Sequence, residues 1–421
     1  MKANNEDIVI ERTKSGNKKS GSFVVIGIAV LVLIFVMALC AAISHFSGMT
    51  AKDFDKNSSN GELIYDSLPD SIVNIEKYAS GTILLTDTSL DYLNHAGERM
   101  SANSHSYSQP VIDIKNRTVL IYDKGGLALR IEKNMTVYNS LTVNKPIITA
   151  SVGKKGNYAY VLNEDGGYQS HLYVYSLQGK KQFEWGSASD YCITTALSDN
   201  GKSIAVALAG VKNGEYVSVI NFFNFNDSKA LYSVELEDCT VVSLEFINNK
   251  TIAVLTDNGI FVINKKGECE KIADYLPSEI LHSDFAFNGL NAVSTVHHGN
   301  VRETKLCIFN KKFKELYTLD FDSEIFSVKA SDKYVAVLFN NRINVYDVKG
   351  NMISEILLDE KCADAVFSGN TLYVLTAGGI YSFNAHTDYD LTIENLQGAD
   401  EGSSAEAVET TSEEASEEYF G

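Results

Sequence analysis

The sequence predicts an all-β fold, a β-propeller of eight four-stranded blades (seven if one repeat is degenerate), preceded by one N-terminal transmembrane helix. Two observations predict the propeller: a unit of about 40 residues that recurs along the chain, and tight turns that divide each unit into four short apolar runs. A third observation, one long apolar stretch without charge near the N-terminus, predicts the helix.

The clearest copy of the unit is Thr251–Ile272. Its apolar runs Thr251–Leu255 and Ile260–Ile263 flank the Asp257-Asn258-Gly259 turn, and Asn264–Gly267 leads into a more polar run, Glu268–Ile272. Asn, Asp and Gly are the residues that tight hairpin turns require, because they adopt positive φ at low cost. One more run, Thr240–Phe246, precedes the copy and completes four strands. Comparable inner turns lie in order at Asp87-Thr88-Ser89, Asp123–Gly126, Asn163–Gly167, Lys212–Glu215, His298-Gly299-Asn300, Asn340-Asn341 and Ala377-Gly378-Gly379. A second turn is clear in four units, at Asn94–Gly97, Ser176–Gly179, Asn264–Gly267 and Asp347–Gly350.

The middle runs are almost continuously apolar, as strands packed on both faces must be. The fourth runs alternate, as expected at a solvent rim. Pro69, Pro110, Pro146 and Pro277 each precede a first strand, where a missing N–H breaks no ladder. The units in the second and sixth blades are the least regular. The last unit ends at Tyr381–Phe383 without a fourth strand, whereas Leu63–Tyr65 precedes the first unit without a partner. Pairing the two would close the ring and remove open sheet edges.

Phe23–Ile43 carries no charge over 21 residues, 14 of them Leu, Ile, Val or Phe. As a helix it spans about 32 Å, matching a hydrocarbon core of about 30 Å. Lys14, Lys18 and Lys19 precede it, whereas Lys52, Asp53, Asp55 and Lys56 roughly cancel after it. The positive-inside rule then places the N-terminus in the cytoplasm and the propeller outside. The apolar core is longer than that of a cleaved signal peptide. The expected organisation is a cytoplasmic segment 1–21, a membrane helix 22–46, a linker 47–61, an extracytoplasmic propeller 62–386 and an acidic, disordered tail 387–421.

Charge excludes one class of partner. The net charge is −18, of which residues 384–421 contribute −11, with 11 acidic and no basic side chains. A nucleic-acid binder needs an excess of Lys and Arg, so no nucleic acid is expected as a partner. Six cysteines occur without any Cys-x-x-Cys. Cys40 lies in the apolar stretch, and Cys192, Cys239, Cys269, Cys307 and Cys362 read mainly as buried free thiols, with a Cys192–Cys239 bridge the one conceivable pairing.

No residue emerges as catalytic, cofactor-binding or metal-binding, and no cofactor is expected. His297-His298 sits on a turn where adjacent side chains diverge. Asn163–Gly167 lacks the alternating ligands of a calcium loop. Asp320–Glu324 reads as a loop between blades. There is no nucleophile elbow, zinc-protease motif or P-loop. Tyr173–Lys180 followed by Trp185 resembles the repeats of quinoprotein-type propellers, in which a Trp after a Gly turn docks on the next blade, but only this unit shows it.

The overall plan is similar to a family of bacterial membrane-anchored propellers of unknown function (domain of unknown function 5711), within the quinoprotein-like and WD40-like superfamily. The resemblance covers about residues 1–385, rests on architecture and repeat pattern, and implies no site residue. The leading expectation is a non-enzymatic binding or scaffolding module for a protein, peptide or glycan at the cell surface, held in the lipid bilayer by Phe23–Ile43. The alternative is a propeller enzyme, either a quinoprotein-like oxidoreductase or one acting on glycans. Polar groups with shifted pKa values converging in the central channel would favour the enzyme, and apolar exposure gathered on one rim the scaffold.

Overall fold

The computed structural model describes residues 61–66, 71–163, 167–276, 279–286, 289–297, 300–386 and 389–391. Among these the chain is all-β, without a helix, and its strands form eight separate sheets. Phe23–Ile43, His298, and Glu164 to Gly166 lie outside the described residues.

Each sheet is one blade. In blade 1, Ile72–Tyr78 is innermost, followed outward by Gly81–Thr86, Ser89–Leu93 and Arg99–Ser104, all antiparallel. Blades 2 to 7 follow in chain order, with innermost strands Pro110–Lys115, Ile147–Val152, Tyr191–Leu197, Val241–Asn248, Ile280–Phe285 and Ser327–Ala330. Blade 8 is built from Asp364–Ser368, Thr371–Leu375 and Ile380–Asn384, and Glu62–Tyr65 supplies its fourth strand, antiparallel to Ile380–Asn384. The ring therefore closes by the pairing that the sequence predicts.

Packing follows from strand periodicity. Successive residues of a strand point to opposite faces, so blade 4 sends Ala205, Ala207, Ile220 and Phe222 toward Val241 and Leu244 of blade 5. It sends Ile204, Val206 and Leu208 the other way, toward Ala159 and Val161 of blade 3. Second strands are buried end to end, as in Gly81–Thr86 and Val335–Leu338. The fourth strand Tyr232–Glu237 alternates between exposed and buried. Trp185 of blade 3 docks on Phe223 of blade 4 with ring centroids 5.0 Å apart, the interblade contact that the quinoprotein-like segment implies.

Two details differ from the sequence reading, and a third accounts for the irregular look of blades 2 and 6. Tyr389–Leu391, in the stretch assigned to the tail, pairs in parallel with Met352–Leu358 as a fifth strand on the outer edge of blade 7. The five described cysteines are all free, but Cys269 is exposed rather than buried. Blades 2 and 6 do have third-to-fourth-strand turns. In blade 2, Asn134 and Met135 take positive φ (51° and 65°), and in blade 6 Phe313 does so (60°) where other blades use Gly.

Strand alternation sorts every loop onto one of two faces. Loops joining first to second and third to fourth strands lie on one, here the lower face. Loops joining second to third strands, and one blade to the next, lie on the upper face. Residue 61 enters on the lower face, whereas Leu391 ends on the upper one.

Candidate functional site

The innermost strands surround the propeller axis, and most of them direct a charged side chain toward it. Lys115 of blade 2 reaches Glu245 of blade 5 at 2.7 Å, an ion pair that bridges the axis. On the other side, Lys329 of blade 7 pairs with Asp364 of blade 8 at 2.6 Å. Two further carboxylates bind the backbone of the next blade. Asp113 accepts the Val152 N–H at 2.7 Å, and Asp284 accepts the Ala330 N–H at 2.6 Å. Between blades 3 and 4 the contact is a buried hydroxyl pair, Ser151 and Thr195, 2.8 Å apart.

These contacts act on the ionisation of the groups that make them. Burial raises the pKa values of Glu245 and Asp284, with Lys115 and Lys329 respectively opposing it. Burial also disfavours the charged form of Lys329, but Asp364 and Asp284 outweigh it, and the ammonium is held above its usual range. Glu76 is the exception. Its Oε1 accepts a hydrogen bond from Asn74 Nδ2 at 3.0 Å, and burial, reinforced by Asp364 and Asp284 against Lys329, pushes its pKa up to about 7. Glu76 lines a cavity of about 450 Å³ at the lower mouth of the axis, with Lys77, Asp284, Lys329, Asp332 and Phe367 in its walls. Among the described residues, no three His, Cys, Asp or Glu side chains converge to hold a metal.

On the upper face, exposed large apolar residues lie over consecutive blades: Leu127 in blade 2, Tyr168 in blade 3, Tyr191, Val211 and Tyr216 in blade 4, and Val242 in blade 5. Others are exposed at the lower ends of fourth strands, namely Met100, Val137, Tyr138, Leu316 and Met352, but these are spread around the outer rim. Blade 4 stands out because Ser203–Lys212 and Glu215–Asn224 are ten-residue strands that run beyond both neighbours. Asn213 and Gly214, at φ 54° and 91°, close this hairpin in a two-residue turn. Tyr191 pairs with Ala209, and Val211 with Tyr216, so all three large side chains stand on the side of the hairpin that faces blade 5. The side facing blade 3 is polar there, with Lys212 paired to Glu235 at 2.5 Å.

The axial carboxylates are dispersed through the sequence from Glu76 to Asp364, and sequence reasoning singled out none of them. The signal was nonetheless present. Glu76, Glu245, Asp284 and Lys329 are all cross-strand partners of the same small or branched position in the second strand, namely Ile83, Ala253, Ala292 and Ala336. Aligning the repeats at that position brings them into one column. Of the weak sequence candidates, Asp320 lies in the fourth strand of blade 6 and Asp322 to Glu324 in the loop after it, as expected of an interblade connection.

Eight four-stranded sheets in a ring, with inner strands around an axis and a late strand contributed by the N-terminal side, define the molecule as a β-propeller. Within that class the chain belongs to the family described as "Family of unknown function (DUF5711)", whose profile matches residues 58–383. Among solved structures it is similar to Saccharomyces cerevisiae Sqt1, at 10% identity and TM-score 0.55, over 78% of this chain and 99% of that one. It is also similar to the C-terminal WD40 domain of Sif2, at 13% identity and TM-score 0.54, over 77% of this chain and 98% of that one. BamB from Moraxella catarrhalis superposes more loosely, at 10% identity and TM-score 0.47, over 73% of this chain and 95% of that one. At such identities the likeness is one of fold. No curated protein matches the sequence.

Proposed function

We propose that this chain is a non-enzymatic binding module, held by Phe23–Ile43 at the outer face of the cell membrane, that engages a protein or peptide with its upper face. The observation that carries the reading is the gathering of Leu127, Tyr168, Tyr191, Val211, Tyr216 and Val242 on that face, around a hairpin that projects from the ring. Aromatic and aliphatic anchors surrounded by polar groups are what protein interfaces use, and rigid scaffolds present them on loops. Residue 61 enters on the opposite face.

The axial channel favours the alternative, an enzyme, through its converging carboxylates. Four of these, Asp113, Glu245, Asp284 and Asp364, are each bonded to another blade or to a lysine that is. They serve ring closure. Glu76, with a pKa of about 7, has the proton-exchange behaviour that a general acid or base needs.

A photo-crosslinking residue placed at Val211 or Tyr216 in living cells should give adducts that are missing when it replaces Lys155 or Lys333 on the lower face. Equal labelling from both faces, or none from the upper, sinks the binding reading. Membrane topology has a separate readout. A membrane-impermeant maleimide should label a cysteine placed at Glu235, on the outer strand of blade 4, in intact cells stripped of their wall, and protection until lysis would put the propeller inside.

A further inference from the structure

We propose that the lower face of the propeller docks on an anionic lipid surface. Its loops carry 14 Lys and Arg residues against six Asp and Glu, from Arg117 in blade 2 to Lys349 in blade 7. The described loops of the upper face carry three basic residues against ten acidic ones. The asymmetry comes from turn chemistry. Third-to-fourth-strand turns have exposed middle positions, and Lys fills them in pairs, as in Lys265-Lys266 and Lys311-Lys312. First-to-second-strand loops add Lys154, Lys155, Lys202, Lys250 and Lys333 around the axial mouth. Charges arranged on one side of a rigid disc add their fields, so the face attracts an extended anionic surface although the whole chain is acidic.

Chain continuity says which anionic surface. Residue 61 enters on this face, 18 residues after Ile43, where the apolar stretch ends. Fully extended, such a segment reaches about 60 Å, long enough for the face on which it enters to meet the bilayer. Headgroup attraction then acts within a Debye length, about 8–10 Å at moderate salt. Leu231 and Val348 are exposed in its loops, and Met100, Val137, Tyr138, Leu316 and Met352 at the adjoining ends of fourth strands, so apolar side chains on the rim accompany the basic ones. Docking rests on the proposed anchor to bring the face to the bilayer, and on the loop charges to hold it there.

Cys269 provides the reporter, because it is exposed and follows the Lys265-Lys266 turn directly. The full chain, labelled at Cys269 with a fluorescent donor, is reconstituted into phosphatidylcholine vesicles and into vesicles of phosphatidylcholine with about one-third phosphatidylglycerol, both with acceptor-labelled headgroups. Energy transfer should be about twofold higher on the anionic vesicles and fall to the neutral value in about 0.5 M salt. It should also fall to that value in a Lys265→Glu, Lys266→Glu, Lys311→Glu, Lys312→Glu variant whose thermal unfolding matches the parent. Equal transfer on the two vesicle types, or an unchanged signal in the variant, overturns the proposal. Carbonate extraction reads the anchor independently. If the chain extracts, the anchor reading fails alone, and flotation with the same two vesicle types then decides docking. Flotation with the anionic vesicles only supports it, and flotation with neither overturns it.

Discussion

Glu132 is wholly buried between blades 1 and 2, where its carboxylate meets Arg130 at 2.5 Å, the Tyr92 hydroxyl at 2.8 Å and Asn103 Nδ2 at 2.6 Å. Arg130 in turn donates to the Ser104 carbonyl at 2.7 Å. This network is the physical reason blade 2 reads as irregular: two charges interrupt the run Ala128–Lys133. Removing one partner of such a pair strands the other, so Glu132→Ala should cost about 3–5 kcal/mol in urea unfolding. Replacing both by Met should recover much of that, and a double variant no more stable than Glu132→Ala would contradict this account.

Glu76 behaves oppositely. Its folded pKa of about 7 exceeds the ordinary 4.5, so between these values the native state binds more protons than the unfolded one. Stability therefore falls as pH rises through that window, by about 3 kcal/mol for a single group. Glu76→Gln removes the dependence. The gap between variant and parent in urea midpoint should widen in favour of the variant from pH 5 to pH 8, and parallel profiles would show that Glu76 ionises freely.

At the scale of elements, the repeat was legible wherever a turn advertises itself. Gly97, Gly179, Gly267 and Gly350 all take φ near +80° at the end of third-to-fourth-strand turns, and those four turns are the ones the sequence reveals. In blade 6 the same position is Phe313, completely buried, which spends the strain of a positive φ to insert a ring beside Phe285 at 5.3 Å. No turn composition announces that exchange. The blade-4 hairpin was visible as Lys212–Glu215, but its projection was not, since that depends on where the neighbouring strands stop. Closure by Glu62–Tyr65 was legible because an unpartnered strand and an incomplete blade leave one economical solution. A chain that starts after Asp66 exposes the edge of Ile380–Asn384. It should lose cooperativity in thermal unfolding and form higher oligomers by light scattering, because an open edge templates pairing with other chains. A monomer with unchanged melting would mean that the closing strand contributes little.

Over the whole molecule, composition and fold give opposite impressions of charge. Residues 47–383 carry 31 basic and 40 acidic side chains, which reads as a mildly acidic domain. Strand direction then places a basic excess on the lower face and an acidic excess on the upper, a separation that no tally of residues contains. The axial set was hidden for a similar reason, since its carboxylates become neighbours only when blades 1, 6, 7 and 8 meet around the axis. The separation has a simple physical consequence. An ion exchanger senses the patch presented to it rather than net charge, because contributions from the far side of the disc are screened over a Debye length of about 10 Å. The full chain in detergent, although its net charge is −18, should be retained on a sulfonate cation exchanger at pH 7 and low salt, through the lower face. The Lys265→Glu, Lys266→Glu, Lys311→Glu, Lys312→Glu variant should pass through unretained, and both proteins should bind an anion exchanger through the upper face and the acidic C-terminal residues. Flow-through of the parent on the cation exchanger would mean that the lysines of the lower face do not act as one surface.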